Sequence, residues 1–301
     1  MSPGDGGQLV DINGRQIRIG HLDRVMYPAV GMTKAEVIDY YSRVAIALLP
    51  QLRDRPVTRI RFPQGVDGER FFEKNVPAGA PGWLRRLTIR AVPGSPDEGP
   101  GEGKDLVYPF IDDLAALVWT ANQSALELHT PQWRVGLEDE VLPPDRLVID
   151  LDPGPPAALA ECVRVARLVA ARLEEDGLET IPVTSGSKGL QLYARLDGTE
   201  TALDVRQYAH DLAFELARAH PALIVAVMRK DLRGGKVLLD WSQNHPGKTT
   251  ITPYSLRGGP LPTVAAPRSW AELADDDEIE QLSPDEVLDR LEADGDPFVG
   301  R

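Results

Sequence analysis

The sequence has a single cysteine, Cys162, among its 301 residues. One cysteine excludes an intrachain disulfide and argues against a zinc site built on thiolates. Cys162 falls in an apolar helical pattern and is predicted to be a core residue. No apolar run approaches the ~20 residues of a transmembrane helix, and the N-terminus lacks the basic and apolar regions of a signal peptide. These absences predict a cytoplasmic protein that has no membrane partner.

Positive charge is in deficit overall, with a formal net charge of −13 at pH 7. That deficit argues at first sight against a nucleic-acid partner. The charge is unevenly distributed, however, since residues 271–301 hold 12 acidic and two basic side chains. Residues 228–257, by contrast, hold six Lys or Arg against two Asp. The net charge therefore does not exclude a locally basic groove, because a ligand responds to the charges near its site and not to the net charge of the protein.

The domain organisation follows from length and composition. With 42% hydrophobic and 26% charged residues, the chain is an ordinary globular sequence that is long enough for a substantial core. We predict a single domain over residues 1–301, with a core of about 20–270 and a mobile lead over 1–14. The acidic tail, 271–301, is predicted to contain a short helix over 284–291. We expect this tail to be an exposed solubilising segment, with protein docking as the alternative.

The order of predicted elements indicates an α+β fold. Apolar spacing predicts helices over 35–49, 111–128, 157–175 and 202–219, the first opened by a Thr33–Glu36 capping box and closed by Pro50. Alternation predicts strands over 57–62, 87–92, 147–152, 181–196 with a central turn, 223–228 and 236–240, and a loop over 93–105. Between residues 146 and 240 this order suggests a mixed sheet with helices on one face.

Three carboxylates carry the strongest chemical signal. Asp150 and Asp152 lie two residues apart in the strand RLVIDLDPG, so both point to the same face of the sheet. Asp240 closes the apolar strand segment VLL at 237–239. Three acids from two strands would form an oxygen-only site, which suits Mg²⁺ or Mn²⁺. The alternative is a set of solvated acids at strand ends, which are common.

Other segments offer phosphate ligands. SGSKG at 185–189 places two hydroxyls, two glycines and Lys188 in a turn, where open backbone N–H groups could cradle a phosphate. Arg233, Lys236 and Arg257 are further cations that could hold a triphosphate. The alternatives are a plain Ser-Gly hairpin and solvated surface cations.

Two segments offer contacts to a nucleic-acid strand. The strand at 57–62 carries Arg59 and Arg61, which predict a wet, positively charged face. Phe71 and Phe72 stand beside Lys74, and adjacent aromatics beside a cation can stack a base. A half-buried aromatic pair in a loop is the alternative for the phenylalanines.

Ten segments, taken together, resemble the primase-polymerase module of bacterial DNA ligase D, a member of the archaeo-eukaryotic primase superfamily. They follow the order of that family from about residue 21 to about residue 294: LDRVMYP, TKAEVIDYY, RPVTRIRFPQGVD, FFEKN, ELHTPQWR, DLDPG, TSGSKGLQLY, LRGGKVLLDWSQN, KTTITPYSLRG and PTVAAPRSWAEL. The resemblance implies a primase-type α+β fold with mixed and antiparallel sheets, an RRM-like catalytic half and helices packed on the outside.

The resemblance, with the patterns above, also implies roles for individual residues. The metal-binding catalytic residues would be Asp150, Asp152 and Asp240. Contacts to the incoming nucleotide would come from His129, Ser185, Lys188, Gln191, Arg233, Lys236, Gln243 and Arg257. Contacts to DNA would come from Arg24, Lys34, Arg59, Arg61, Phe71, Phe72 and Lys74, with the phenylalanines near the template base and Lys34 at a 5′-phosphate.

Two positions depart from the family pattern. Family members often carry histidine where this chain has Gln191, and glutamine can hydrogen-bond but cannot become a cation. The difference bears on triphosphate affinity and nucleotide preference. Arg24 stands where the family often has lysine, so the charge is kept while the geometry changes.

The implied activity is template-directed nucleotidyl transfer, with two Mn²⁺ or Mg²⁺ ions and with ribo- or deoxyribonucleoside triphosphates as substrates. The implied role is filling short gaps or remodelling ends in non-homologous end joining, on DNA that carries a 5′-phosphate, at the nucleoid. A DNA ligase and end-binding repair proteins would be the partners. The chain has no Lys-x-Asp-Gly ligase motif, and its N-terminus and acidic tail favour a stand-alone protein.

Two other functions stay open at this point. One is a catalytically weak module that binds 5′-phosphorylated ends and recruits a ligase. The other is a metal-dependent phosphohydrolase, against which the phenylalanine pair and the basic strand argue.

Overall fold

The computed structural model describes residues 7–90, 104–274 and 279–299. Over these residues the helices are α1 Lys34–Leu52, α2 Leu114–Asn122, α3 Leu159–Glu175, α4 Ala202–Ala219 and α5 Pro284–Asp294. The strands are β1 Gln8–Ile12, β2 Arg15–Ile19, β3 Val25–Tyr27, β4 Met32–Thr33, β5 Thr58–Arg61, β6 Phe71–Glu73, β7 Arg86–Arg90, β8 Asp105–Pro109, β9 Ala125–Thr130, β10 Trp133–Val135, β11 Val141–Pro144, β12 Arg146–Pro153, β13 Thr180–Thr184, β14 Leu190–Arg195, β15 Ile224–Val225, β16 Val237–Asp240, β17 Thr250–Ile251 and β18 Ala266–Pro267. Short 3₁₀ helices cover Lys230–Leu232 and Trp241–Asn244. Within these ranges no helix has the length and apolar character to cross a membrane.

The larger sheet has six strands in the order β15-β16-β12-β14-β13-β18. Its neighbouring strands are antiparallel, except for the parallel pair β15 and β16. Because side chains alternate along β12, Leu147, Ile149 and Leu151 are buried in one apolar cluster with residues of α3 and α4. Val148 lies on the opposite face, in a cluster with Tyr193 of β14. The prediction of a mixed sheet with helices on one face is confirmed.

A second sheet has four antiparallel strands in the order β17-β9-β5-β6, and we call it the smaller sheet. Helices α1 and α2 share an apolar cluster with Leu126 and Leu128 of β9. The hydroxyl of Tyr41 on α1 donates to the Leu126 carbonyl at 2.6 Å, which ties the helix to the sheet. The predicted capping box at the start of α1 is present. The predicted α+β class, with mixed and antiparallel sheets and outer helices, is confirmed.

The N-terminal segment forms a β-hairpin where the sequence predicted a mobile lead. Strands β1 and β2 pair in register, and Ile17 and Ile19 are buried. The turn residues Asn13 and Gly14 have φ of 53° and 79°, the left-handed pair that suits a two-residue hairpin. The mobile-lead prediction was therefore wrong for residues 8–14, and residues 1–6 lie outside the described ranges.

The segment predicted as one helix over 111–128 is a helix followed by a strand. Helix α2 ends at Asn122, Ser124 adopts a φ of 60°, and β9 then runs between β17 and β5. Short apolar segments are ambiguous between a helix and a buried strand, which explains the error. His129 consequently lies within a strand and not after a helix.

Three smaller predictions also differ from the structure. Helix α1 continues through Pro50 to Leu52, although the proline has no N–H for the i→i−4 hydrogen bond at this position. The strand predicted over 223–228 is reduced to β15. The loop predicted over 93–105 falls mainly on residues 91–103, which lie outside the described part of the chain.

The acidic tail packs onto the domain where it is described. Helix α5 buries Val287 and Leu288 in the same apolar cluster as α1 and α2. Asp296 accepts a hydrogen bond from the Tyr254 hydroxyl at 2.6 Å. The prediction of an exposed solubilising segment was therefore wrong for residues 279–299, and residues 275–278 lie outside the described ranges.

Candidate active site

Three carboxylates meet on one face of the six-stranded sheet. Asp150 on β12 is paired in register with Asp240 on β16 and with Gln191 on β14. Directly opposite residues of antiparallel strands project to the same face, so these three side chains form a row across the sheet. Asp152, two residues further along β12, faces the same way. Carboxylate oxygens of Asp150, Asp152 and Asp240 all lie within 4.8 Å of one another, as predicted.

The charges in this cluster are unfavourable without a cation. Burial and the charges of Asp152 and Asp240 raise the pKa of the Asp150 carboxyl, which is only 9% exposed. Burial and Asp240 likewise raise the pKa of Asp152, although nearby cations oppose the shift. Carboxylates that disfavour one another's ionised form are stabilised by a positive ion between them. The oxygen-only donor set and this repulsion fit a site for Mg²⁺ or Mn²⁺.

Neighbouring amides orient the carboxylates. Gln191 Nε2 donates to Asp150 Oδ1 at 3.1 Å, and the Tyr193 hydroxyl donates to Gln191 Oε1 at 3.1 Å. Gln243 Nε2 lies 3.5 Å from Asp150 Oδ2 and 3.3 Å from Asp240 Oδ2. The predicted residues Gln191 and Gln243 therefore contact the metal-site acids themselves. The Tyr193 hydroxyl, which the sequence did not single out, also lies 3.0 Å from the Ile251 carbonyl, so its single hydrogen has two acceptors within reach.

Glu127 on β9 contacts two of the residues that were predicted to bind the nucleotide. His129 Nε2 lies 2.8 Å from Glu127 Oε2, and Arg257 Nη1 lies 3.4 Å from the same oxygen. The backbone N–H of Gly258 donates to Glu127 Oε1 at 2.9 Å. Sequence reasoning missed Glu127; its place two residues before His129, on one face of a strand, was the available signal.

Arg257 also faces the metal site. Its charge acts on both Asp150 and Asp152, lowering the pKa of each carboxyl against the larger effect of burial. A Cβ on Gly186 would come within 2.5 Å of Arg257 Cγ, so the aliphatic stem of Arg257 packs against the SGSKG hairpin. The structure thus brings Arg257, His129 and the hairpin to the same side of the carboxylates.

The SGSKG hairpin is built differently from the predicted phosphate cradle. Ser185 Oγ accepts the N–H groups of Ser187 and Gly189, each at 3.2 Å. The N–H of Gly186 donates to Gln281 Oε1 at 2.6 Å. These three donors are already bonded within the protein, so the prediction of an open backbone cradle was wrong. The exposed side chain of Lys188 is the part of the hairpin that remains for a phosphate.

Two cations lie near the other end of the cluster, and one of them was missed. The charge of Arg233 acts on Asp152, while its predicted contact with a triphosphate stays a prediction. Lys236, by contrast, donates its ammonium to the Pro221 carbonyl at 2.7 Å. Lys248, which was not predicted as a site residue, lies at the carboxylates, since its Nζ is 3.8 Å from Asp240 Oδ2. The sequence counted Lys248 in the basic segment without placing it at the site.

A second cationic cluster lies at the start of α1. Lys34 is 4% exposed, and its Nζ donates to the Gly20 carbonyl at 2.7 Å. Burial and the charges of Arg24 and Arg61 lower the pKa of Lys34 to about 8. The half-buried Arg24 and Arg61 both repel the Lys34 ammonium, although Arg61 is also paired with Glu73 at 2.8 Å, so an anion bound at Lys34 would relieve this repulsion. These are three of the residues predicted for DNA.

Arg59 does not form the wet, positively charged face that the sequence predicted. It is completely buried, its Nη2 donates to the Asn75 carbonyl, and Glu73 Oε2 lies 3.4 Å from the guanidinium. Glu73 also accepts a hydrogen bond from Arg61 at 2.8 Å. Arg59 is therefore inaccessible to DNA in this structure, and its contacts are with Glu73 of β6 and with Asn75 just after it. The sequence did not show that Arg59 is buried, because alternation along a strand does not show which face the neighbouring segments cover.

Strand β6 presents the aromatic pair at an edge of the smaller sheet. Phe71 is 41% exposed and Phe72 is 47% exposed. Lys74 Nζ lies 5.9 Å from the centre of the Phe72 ring. Both rings are open to solvent, which is the arrangement a base-stacking surface requires.

Comparisons with known proteins identify the family to which this chain is similar. The sequence model of the family "LigD, primase-polymerase domain" matches residues 33–298. The multifunctional non-homologous end joining DNA repair protein LigD of Mycobacterium tuberculosis is 47% identical over 287 residues, which cover 94% of this chain and 36% of that protein. The bifunctional non-homologous end joining protein LigD of Bacillus subtilis is 33% identical over 284 residues, 94% of this chain and 44% of that protein.

A solved structure shows the same similarity. The polymerase domain from Mycobacterium tuberculosis ligase D in complex with DNA superposes with a TM-score of 0.87 at 47% identity, covering 93% of this chain and 96% of that one. The chain spans about a third of the length of the mycobacterial relatives, 36% in the case above.

Proposed function

The chain belongs to the LigD primase-polymerase family, and we propose that it is a template-directed nucleotidyltransferase that extends DNA strands at gaps and breaks. The observation that carries the proposal is the row of Asp150 and Asp240 across two paired strands, with Asp152 beside it. Cations stand next to this row, and exposed aromatic rings lie at the edge of the other sheet. A nucleotide and a template strand need these two surfaces.

The reaction would join a primer 3′-hydroxyl to the α-phosphorus of a nucleoside triphosphate while the bond to pyrophosphate breaks. Asp150, Asp152 and Asp240 would hold two divalent ions, Mn²⁺ or Mg²⁺. When bound, such ions increase the nucleophilicity of the attacking oxygen and neutralise charge on the leaving oxygen. Gln191 and Gln243 keep the carboxylates oriented. Since phosphoryl transfer needs little further covalent chemistry, positioning and charge supply most of the catalysis.

The nucleotide would lie between the carboxylates and the SGSKG hairpin. Arg257 and Lys188 offer positive charge for the triphosphate, and Arg233 adds charge at Asp152. Guanidinium groups pair well with phosphate oxygens because their donors match in geometry. Glu127 holds His129 and Arg257 in place, so it is a positioning residue for this side of the site.

DNA would be held at two further places. Phe71 and Phe72 would stack a template base, with Lys74 near its phosphate. The cluster of Arg24, Lys34 and Arg61 would bind the 5′-phosphate on the far side of a gap, because a doubly charged phosphate relieves the repulsion among three cations. In the cell this reaction would fill short gaps or remodel ends in non-homologous end joining, the process that the names of the relatives state. A DNA ligase and end-binding proteins would be its partners.

The Lys34 cluster also favours a second candidate, an end-binding module with weak catalysis. Phosphate capture at this cluster needs neither metal nor nucleotide. Such a module would bind a gapped duplex in a 5′-phosphate-dependent way and recruit a ligase without extending the primer.

Primer extension on a gapped duplex with a 5′-phosphate distinguishes the two candidates. The experiment compares the wild type with Asp150→Ala/Asp152→Ala in Mn²⁺, with ATP and dATP offered in parallel reactions. We expect templated addition by the wild type alone, while both proteins bind the duplex equally. Extension by the double variant would refute the metal assignment. Absence of extension by the wild type, with intact 5′-phosphate-dependent binding, would favour the end-binding module.

A further inference from the structure

A row of basic side chains leads away from the metal site on the side opposite the SGSKG hairpin. Strand β12 has β14 on one side and β16 on the other. The hairpin precedes β14, whereas the 3₁₀ helix Trp241–Asn244 follows β16 and contacts α4. On this second side stand Lys248, His245 and Arg206, which we call the α4 row.

The α4 row begins at the metal site and continues outward. Lys248 lies 3.8 Å from Asp240, a predicted metal ligand. The charges of Arg206 and Lys248 both act on His245 and, after the larger effect of burial, lower the pKa of its imidazole. The geometry agrees, since the backbone N–H of Lys248 donates to the His245 carbonyl at 2.9 Å, and His245 follows the 3₁₀ helix whose Trp241 lies under Arg206.

The neutral imidazole of His245 can donate a hydrogen bond from Nε2. The backbone N–H of Gly247 donates to His245 Nδ1 at 3.0 Å, so in the neutral ring the proton resides on Nε2. Among the described residues Nε2 has no partner within hydrogen-bond distance. A neutral imidazole in this tautomer can donate to a phosphate oxygen that the flanking cations attract.

Arg206 ends the row and lacks an anionic partner. Its guanidinium lies over the Trp241 ring, 5.0 Å from the ring centre, which restricts its orientation. Its Nε is buried and has no hydrogen-bond partner. Within the described part of the chain no carboxylate lies within 4 Å of the Arg206 guanidinium. A fixed, unpaired arginine is notable on a protein with a net charge of −13.

We propose that the α4 row binds the phosphodiester backbone of the primer strand and so delivers its 3′-hydroxyl to Asp240. This inference rests on the proposed function. In phosphoryl transfer the attacking and leaving oxygens lie on opposite sides of the phosphorus. If Arg257 and Lys188 hold the triphosphate at the hairpin, the primer must approach from the β16 side. The α4 row is a basic surface on that side that extends outward from Asp240, and its chemistry suits successive phosphates.

The first test measures DNA binding without metal or nucleotide. Arg206→Ala is compared with Arg218→Ala, which removes the same charge from an exposed position 12 residues, or about 18 Å, further along α4. The probe is a recessed-end duplex with a fluorescent primer strand, titrated at several salt concentrations. Losing one phosphate contact lowers the slope of log K against log salt by about 0.9 for duplex DNA. We expect that change for Arg206→Ala and none for Arg218→Ala, with Arg206→Lys restoring the slope.

The second test measures extension of the same duplex by the same variants. We expect the primer KM of Arg206→Ala to rise roughly two- to fivefold, as for the loss of one exposed charge contact. The KM for the nucleoside triphosphate should stay unchanged. Equal salt slopes for Arg206→Ala and Arg218→Ala would overturn the proposal, as would an increase in the nucleotide KM alone. If the wild type extends no primer while the salt slopes differ, the polymerase assignment fails and the DNA site stands.

Discussion

Glu127 supports the fold and the nucleotide side of the site at once, so Glu127→Gln should weaken both. Its carboxylate contacts His129, Arg257 and the backbone of Gly258 at 2.8, 3.4 and 2.9 Å. Burial alone would raise the pKa of Glu127. The hydrogen bond from His129 and the charge of Arg257 outweigh burial and lower the pKa from 4.5 to about 2.

The size of the effect follows from that shift. A depression from 4.5 to about 2 corresponds to about 3 kcal/mol of stability at neutral pH, at about 1.36 kcal/mol per pKa unit. The Glu127 side chain is 8% exposed, so solvent screens little of this interaction. Glutamine lacks the charge and turns an N–H group toward donors. We therefore expect Glu127→Gln to lower the free energy of unfolding by about 3 kcal/mol at pH 7.

The pH dependence gives this prediction a direction. Because the pKa of Glu127 is depressed in the folded state, its stabilisation of the fold is fully present above about pH 4.5 and is lost as the pH falls toward about 2. The stability difference between the wild type and Glu127→Gln should therefore narrow between pH 7 and about pH 3.5. At pH 7 the KM for the nucleoside triphosphate should rise roughly tenfold, because His129 and Arg257 lose their common anchor, while the primer KM stays unchanged.

Urea unfolding at several pH values and steady-state extension kinetics measure the two effects. Glu174→Gln is the matched control, since it makes the same chemical change at an exposed position of α3. It should alter the free energy of unfolding by less than about 0.5 kcal/mol. The reasoning fails if Glu127→Gln unfolds like this control, if the stability difference does not vary with pH, or if the nucleotide KM is unchanged.

Three other predictions concern the metal site and the DNA contacts. Asp150→Asn should raise the melting temperature of the metal-free protein and remove stabilisation by Mn²⁺, because burial and two neighbouring acids raise the pKa of Asp150; a lower melting temperature would contradict this. Burial and nearby cations lower the pKa of Lys34 to about 8, so the preference for 5′-phosphate over 5′-hydroxyl DNA should fall as the pH rises past that value. That preference should be small at every pH in Lys34→Ala, and a pH-independent preference in the wild type would refute the assignment. Phe71→Ala/Phe72→Ala should weaken binding of single-stranded template overhangs about tenfold in anisotropy titrations, and an equal loss for blunt duplex would show that the rings do not stack template bases.

Local periodicity was sufficient to predict that the carboxylates of Asp150 and Asp152 lie on one face of the sheet. The two-residue spacing of Asp150 and Asp152 places both carboxylates on one face of any strand, whatever that strand pairs with. The apolar residues between and before them define the opposite, buried face. The same argument identified the helices α3 and α4, whose apolar spacing extends over more than four turns.

Strand pairing, which the sequence does not encode locally, decided the rest of the site. Glu127 became the anchor of the nucleotide side because β9, predicted as part of a helix, forms an inner strand of the smaller sheet. Lys248 reached Asp240 and Lys236 did not, because the chain turns through a 3₁₀ helix after β16. Each outcome depends on contacts between residues far apart in the chain.

The sequence by itself therefore determined the α+β class, the three carboxylates and the aromatic pair, since each depends on spacing within short segments. The tertiary structure alone decided that Arg59 is buried, that the SGSKG donors are bonded internally and that Arg206 packs over Trp241. The physical reason is that burial and charge pairing depend on which segments pack together. Alternation along one strand specifies two faces, and only the neighbouring strands and helices determine which face solvent or DNA can reach.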